Sequence, residues 1–213
     1  MPRHDNPFRR WLACDEETLR KAERTRLRLL LAGADLLMEQ DFDALIVSAI
    51  CRRAGVAHGT FYLYYSDRNA LAGDLLGRFV GFLQSRMREA ARQDGDPVRS
   101  TTAAYYDLFR THTGLMKCLV VGMDTCPEAA AAFQRLNHDW ARTVMQAHAT
   151  AHGKDRAPNN EEVLRRAYAL GGMVDQYLTA LFVMRDPWLA SISGDRDRVI
   201  NTLTTLWAKG MEP

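Results

Sequence analysis

Apolar residues along the chain recur at three- and four-residue spacing. Leu27, Leu30, Leu31, Ala34, Leu37 and Met38 follow this rhythm and predict a helix over about 21–40 with one apolar face. Val47, Ile50, Cys51 and Ala54 repeat it over two turns, and Gly55 supplies a left-handed stop. A third short segment runs from His58 to Tyr64. Ser66 is placed to cap the next helix, with Asp67 in its first turn and Leu71, Leu75, Phe79, Phe82 and Met87 along its inner face. Asp94-Gly95-Asp96-Pro97 breaks that helix. Pro127 opens an Ala-rich helix reaching His152, Gly153 to Asn160 is a polar loop, and two helices over about 161–185 and 195–210 end the chain. No stretch alternates with period two for more than a few residues, so the fold class is all-α, with about nine helices and no sheet.

Composition narrows the class. The chain has 213 residues, is 47% hydrophobic and 25% charged, and includes 14 Gly and 7 Pro. Disorder and collagen-like architecture are therefore excluded, and roughly 70% of the unfolded surface can be buried. The apolar runs fall short of the ~20 residues of a membrane helix, and Met1 to Phe8 lacks the apolar stretch of a signal peptide. A cytoplasmic protein with no membrane partner is expected. Cys14, Cys51, Cys118 and Cys126 form no CxxC and read as free thiols. The net charge of +2 argues against a bulk polycation, but it divides into +3 over residues 1–92 and −1 over 93–213. Any nucleic-acid function must rest on placement.

That placement occurs in residues 45–71, LIVSAICRRAGVAHGTFYLYYSDRNAL. A short helix, a turn at Gly55-Val56 and a second short helix make a helix-turn-helix whose second helix suits a major groove about 12 Å wide. Phe61 and Tyr64 are spaced to face a core. The other face offers Ala57, His58, Gly59, Thr60, Tyr62 and Tyr65: hydroxyls for phosphates, an imidazole for a base edge, and a glycine for close backbone approach. Ser48, on the helix before, is a candidate either to cap that helix or to contact a phosphate. Arg68 adds a charged phosphate contact. The cationic start of the first helix (Arg20, Lys21, Arg24, Arg26, Arg28) reads equally as a solvated face or as a source of phosphate or minor-groove contacts.

The segment resembles the TetR-type transcriptional regulators through Phe42, Val47, Ile50, Ala54-Gly55-Val56, Gly59-Thr60-Phe61-Tyr62, Tyr64 and Leu71, over about residues 24–75. Where that pattern usually has Gly, Thr and Ser/Thr, this chain has Asp41, Ile46 and Ala57; Tyr65 replaces Phe, and Asp67-Arg68 replaces Ser-Lys. The resemblance implies a dimeric repressor bound to a pseudo-palindromic operator in double-stranded DNA and released by a small effector. It divides the chain into an arm (1–20), a DNA-binding domain (21–70) and an effector-binding and dimerisation domain (71–213).

Two stripes independently suggest a homodimer: Leu164, Tyr168, Gly171, Asp175 and Leu178 on one helix, and Val199, Leu203, Leu206 and Trp207 on the next. Either stripe could instead face the monomer's own core. Tyr105, Tyr106, Phe109, His112, Met116, Trp140, Val144, Met173 and Tyr177 would suit a pocket for an apolar or aromatic effector, or ordinary core. His148 and His152 share a helix face without the further ligands zinc needs, and no catalytic or phosphate-loop motif occurs. No enzyme, metal or cofactor is expected. The alternatives are an effector-independent DNA-binding dimer and a helical enzyme with a non-functional helix-turn-helix.

Overall fold

The computed structural model describes residues 6–14, 16–39, 42–93, 95–122, 126–152 and 160–212. Among these residues no strand forms, and the all-α expectation holds. The helices are α1 (Pro7–Leu12), α2 (Lys21–Glu39), α3 (Val47–Ala54), α4 (His58–Phe61), α5 (Arg68–Ala91), α6 (Pro97–Thr111), α7 (Thr113–Val121), α8 (Pro127–His152), α9 (Asn160–Leu178), α10 (Pro187–Ile192) and α11 (Arg196–Gly210). Asp41, the residue standing where the TetR pattern has Gly, lies outside the described residues.

The short helices α1 and α10 escape a periodicity reading because each spans only six residues. Local chemistry makes them. The Asn6 side chain accepts from the N–H of Phe8 at 2.9 Å and of Arg9 at 3.3 Å, and Asp186 does the same for Trp188 and Leu189. Proline follows each cap at the first helical position. The helix expected over 161–185 ends as an α-helix at Leu178. Thr179–Met184 continue in π-helical form to Arg185, whose backbone is left-handed (φ 54°), before Asp186 (φ −55°, ψ 117°) leaves the helical region ahead of Pro187.

The described residues gather into two compact units that interleave along the chain, whereas the sequence divides it into three consecutive segments with boundaries near residues 20 and 70. One unit holds the residues up to Phe82 with His112–Ala132; the other holds Leu83–Thr111 with the residues from Phe133 onward.

In the first unit α2 is the central element. Its expected face is buried as far as Leu37, and so are Leu29, Ala32, Gly33 and Leu36, which leaves half-buried Asp35 as the one charged residue from Leu29 to Leu37. α1, α3 and α7 pack on it. The approach of α7 is so close that a Cβ on Gly114 would stand 2.1 Å from the Leu37 carbonyl oxygen. The stretch read as an arm contributes to this core: Phe8 is fully buried, with its ring centroid 5.0 Å from Phe79 and 5.4 Å from Phe82. Arg9 pairs with Asp35 at 2.7 Å.

His112 completes the aromatic group, 5.6 Å from both Phe79 and Phe82. It is fully buried, and neither ring nitrogen has a hydrogen-bond partner among the described residues. This corrects its assignment to an effector pocket. Met116, assigned likewise, is also buried core of this unit.

The second unit is built from the rest of α5 and α8 with α6, α9, α10 and α11. α11 packs along α6 and against α9, and Arg196 grips Asp107 with a bidentate fork whose Nε bond is 2.9 Å long.

Burial pushes the His112 imidazole down to about 4. Because the unfolded chain binds the proton more readily, stability is full above the ordinary histidine range and declines as pH falls toward about 4. His112→Phe should reduce that decline by roughly 2–3 kcal/mol, measured by urea unfolding at pH 7.5 and 4.5. An unchanged pH dependence would remove this account of His112.

Candidate functional site

The helix-turn-helix forms from α3 and α4. Gly55 adopts φ 65° and ψ 41°, and the N–H of Val56 bonds the Cys51 carbonyl at 3.1 Å, so the chain reverses without a side chain to obstruct it. Ile46 and Ala57 stand at the starts of α3 and α4, and neither gives a side-chain cap. The cause is their lack of a hydroxyl. Phe61 is wholly buried and holds α4 to the core; Tyr64 is half-buried. Ala57, His58, Gly59 and Tyr62 form an exposed row, with Thr60 half-buried beside it. Tyr62 is 53% exposed, and its ring lies edge-on to His58 with centroids 5.4 Å apart. Ser48 and Arg52 are exposed on α3.

Tyr65 does not join that surface. Its ring is buried, its hydroxyl donates to Asp74 at 2.7 Å and accepts from Arg26 Nε at 3.2 Å, and Asp74 also takes a 2.9 Å bond from Arg78. Burial pushes the phenol up, so it stays protonated. Burial also pushes the Asp74 carboxyl up, but the bonds from Tyr65 and Arg78 outweigh this and hold it low. The α-helix ends at Phe61, so Tyr65 leaves the angular phase of His58 and Tyr62 and turns inward. Arg26 is tethered in this network rather than lying loose on a basic face.

Two further readings change at the next helix. Asp67, rather than Ser66, caps α5: its Oδ1 accepts from the Ala70 N–H at 2.8 Å, which holds its carboxyl low. Arg68 is half-buried; its guanidinium sits 5.1 Å from the Phe42 ring centroid and donates to the Asp43 carbonyl at 3.3 Å. It staples the start of α5 to the Phe42 turn.

The second unit contains a cavity of about 500 Å³ among α5, α6, α8, α9 and the end of α11. Tyr105, Trp140 and Val144, three of the residues put forward for an effector pocket, line it. Phe109 lies instead in the core beside Tyr105 and Phe182; Met173 is half-buried away from the cavity, and the Tyr177 hydroxyl is bonded to Ser193 Oγ at 2.7 Å. Most of the wall is apolar, including Met87, Leu136 and Val174. The main polar feature is buried: the Tyr105 hydroxyl donates to Asp175 Oδ1 at 2.6 Å. Burial pushes the Asp175 carboxyl up to about 6 against the lowering effect of that bond. Burial, and then the neighbouring carboxylate, raises the Tyr105 phenol.

Periodicity misassigned this aspartate. Of the two stripes expected to meet a partner, Leu178, Val199 and Leu203 are buried in the unit's own core, while Asp175, Gly171 and Trp207 line the cavity. Leu164 is half-buried; Tyr168 and Leu206 are exposed. A larger apolar exposure escaped the sequence reading: Met184, Trp188 and Ile192, with Trp188 82% exposed. The signal for the cavity was an acidic residue inside an otherwise apolar stripe.

Cys118 and Cys126 are buried, and burial pushes the Cys118 thiol up to about 12. Among the described residues no group of three His, Cys, Asp or Glu is arranged to hold a metal, and no helix is long and apolar enough to cross a membrane.

Comparison with known proteins matches residues 29–75 to the bacterial regulatory proteins of the tetR family and residues 98–211 to the C-terminal domain of the transcriptional regulator EthR. The HTH-type transcriptional regulator EthR of Mycobacterium tuberculosis is 22% identical over 186 residues, covering 85% of this chain and 84% of that protein. The HTH-type transcriptional repressor NemR of Escherichia coli is 28% identical over 101 residues, 46% of this chain and 51% of that one. Among solved structures, the fatty acid degradation regulator FadR of Bacillus halodurans superposes with a TM-score of 0.68 at 16% identity, covering 86% and 94% of the two chains. FadR of Bacillus subtilis, in complex with stearoyl-CoA, gives 0.68 at 17% identity over 87% and 99%.

Two substitutions separate the roles in the head. Tyr65→Phe deprives Asp74 and Arg26 of their shared hydroxyl and should lower stability by about 1–2 kcal/mol. Gly55→Ala meets no atom within 4 Å, so its cost, about 1–2 kcal/mol, is conformational alone. Thermal melts of both variants test this, and a Tyr65→Phe protein as stable as the parent would show that the network carries no weight.

Proposed function

Since this chain belongs to the TetR family of bacterial regulatory proteins, we propose that two copies read a pseudo-palindromic operator and leave it when a small apolar or aromatic effector fills the cavity. It is a DNA-binding transcriptional regulator, and repression relieved by the effector is the reading its parts support best. Residues 21–70 make the DNA-binding domain and residues 71–213 bind effector and partner.

The observation that carries the reading is the exposed row Ala57, His58, Gly59, Tyr62, presented by a helix whose apolar side is fixed by Phe61. His58 addresses a base edge, Thr60, Tyr62 and Ser48 address phosphates, and Gly59 lets backbone approach the duplex. A Cβ on Gly59 meets nothing within 4 Å in the free protein, so the small residue answers no need of the fold. Arg52 joins these groups by its exposure on α3.

Two heads about 34 Å apart would match successive half-sites. Tyr168 and Leu206, the members of the two stripes left exposed, together with Trp188 and Ile192, supply apolar surface for the second copy. The cavity supplies the effector site, with a mainly apolar wall and the Tyr105–Asp175 pair inside it. FadR of Bacillus subtilis, which shares the fold, was solved with stearoyl-CoA. Relief of repression requires a coupling of about 1–3 kcal/mol between effector and operator binding.

Mobility shifts on the DNA upstream of the protein's own gene, repeated with candidate effectors, test the whole reading. Gly59→Ala is the sharpest variant: helix stability should hold or rise by about 0.5–1 kcal/mol, while operator affinity falls by about tenfold or more. His58→Ala should relax base preference, and Arg52→Ala should weaken all sequences together and flatten the salt slope by about one unit. Undiminished operator binding by Gly59→Ala would remove α4 from the groove.

A further inference from the structure

The cavity wall carries more chemistry than an apolar lining needs. Four titratable residues line it from the elements around it: Tyr105 on α6, His148 on α8, Asp175 on α9 and Glu212 after α11. Among the described residues lining it there is no lysine or arginine. Arg166, near the end of α11, does not line it; its Nε bonds Glu162 at 3.1 Å and its Nη1 bonds the carbonyls of Gly210 and Glu212.

Asp175 is the residue this arrangement leaves incomplete. It is buried within an apolar surround, and among the described residues only the Tyr105 hydroxyl gives it a hydrogen bond, to Oδ1. An ionised carboxylate has acceptor sites for several donors and is costly to bury without a compensating positive charge. Its rise to about 6 expresses that cost. Trp140 and Trp207 border the same space, and indole rings attract cations. An anionic head-group would meet the Asp175 carboxylate and, among the described lining residues, no lysine or arginine.

We propose that the effector is a lipophilic monocation, an amine carried on an apolar or aromatic body, whose ammonium group pairs with Asp175 inside the cavity. Tyr105 holds the carboxylate in place from one side, the ammonium donates to the remaining acceptor sites, and the apolar body lies along the wall. Nothing covalent changes. This rests on the reading of the cavity as the effector site, and adds to it the charge class of the ligand and the residue that selects it.

A matched series keeps the two claims apart. The neutral dye N-phenyl-1-naphthylamine reports occupancy of the cavity, and Ala147→Trp, which narrows it, serves as the blocked control. Displacement of the dye is then measured with 6-phenylhexylamine, 6-phenylhexanol and 6-phenylhexanoate. The amine should bind about tenfold or more tighter than the alcohol, as a charge-assisted bond exceeds a neutral one, and the carboxylate should bind weakest. Asp175→Asn, checked for folding by its thermal melt, should erase the preference for the amine and leave the alcohol's affinity in place. Tyr105→Phe, which retains the carboxylate, should keep the preference. If the dye binds and the amine does no better than the alcohol, the charge class is wrong and the cavity reading stands. Loss of the amine preference in Tyr105→Phe but not in Asp175→Asn would overturn the role of Asp175. If neither dye nor any member of the series binds, the effector cavity fails and this inference falls with it.

Discussion

A helix buried on nearly every side, as α2 is from Leu29 to Leu37, can be covered only by neighbours that come close, and that constraint organises the first unit. Small residues make the approach possible where helices touch, as Gly114 does against the Leu37 carbonyl. With α2 enclosed, α3 has a fixed bed to lie on. The exposed row on α4 then owes its position to a short chain of dependencies: α3 rests on α2, the Gly55 turn sets the angle, and Phe61 closes the core. The Tyr65 hydroxyl ties the end of the α4 segment to Arg26 of α2 and Asp74 of α5. A helix of four residues has almost no stability of its own. Its precision is borrowed from the enclosed helix.

The two units handle buried polarity in opposite ways. In the first, His112 sits among phenylalanines with no hydrogen bond to either nitrogen among the described residues, and burial keeps it neutral. In the second, Asp175 is given one partner in a space that still has room. A neutral imidazole in an aromatic group is a fixed cost of folding. A carboxylate beside an open volume is an unfinished electrostatic arrangement.

The head was largely legible in the sequence because its requirements are local. A left-handed residue at 55, an apolar anchor at 61 and small or polar groups between them are each imposed by backbone geometry within a few residues. Legibility failed where a helical period was extended past the helix. Tyr65 shares a face with Tyr62 only if the helix continues, and it stops at Phe61. The same limit governed the second unit. Periodicity states that Asp175, Gly171, Leu178 and Trp207 face inward, but a core, a cavity and a partner subunit all satisfy the same spacing. Tyr105, Trp140 and Val144 were recognisable by residue type, whereas His112 and Phe109, of similar type, are core. Which inward faces enclose space is decided by how helices distant in sequence come together.

The glycine at 114 also bears on how far such a chain can diverge. Crowding between side chains can be relieved by change on the other side: a Cβ on Gly33 would meet the Leu71 Cδ2 at 2.8 Å, and a smaller residue at 71 would make room. At 114 the obstacle is the backbone carbonyl of Leu37, which every amino acid carries. No second substitution in α2 removes it. Position 114 therefore belongs to the part of the sequence that cannot drift in compensated pairs, while the apolar residues around it can exchange size among themselves.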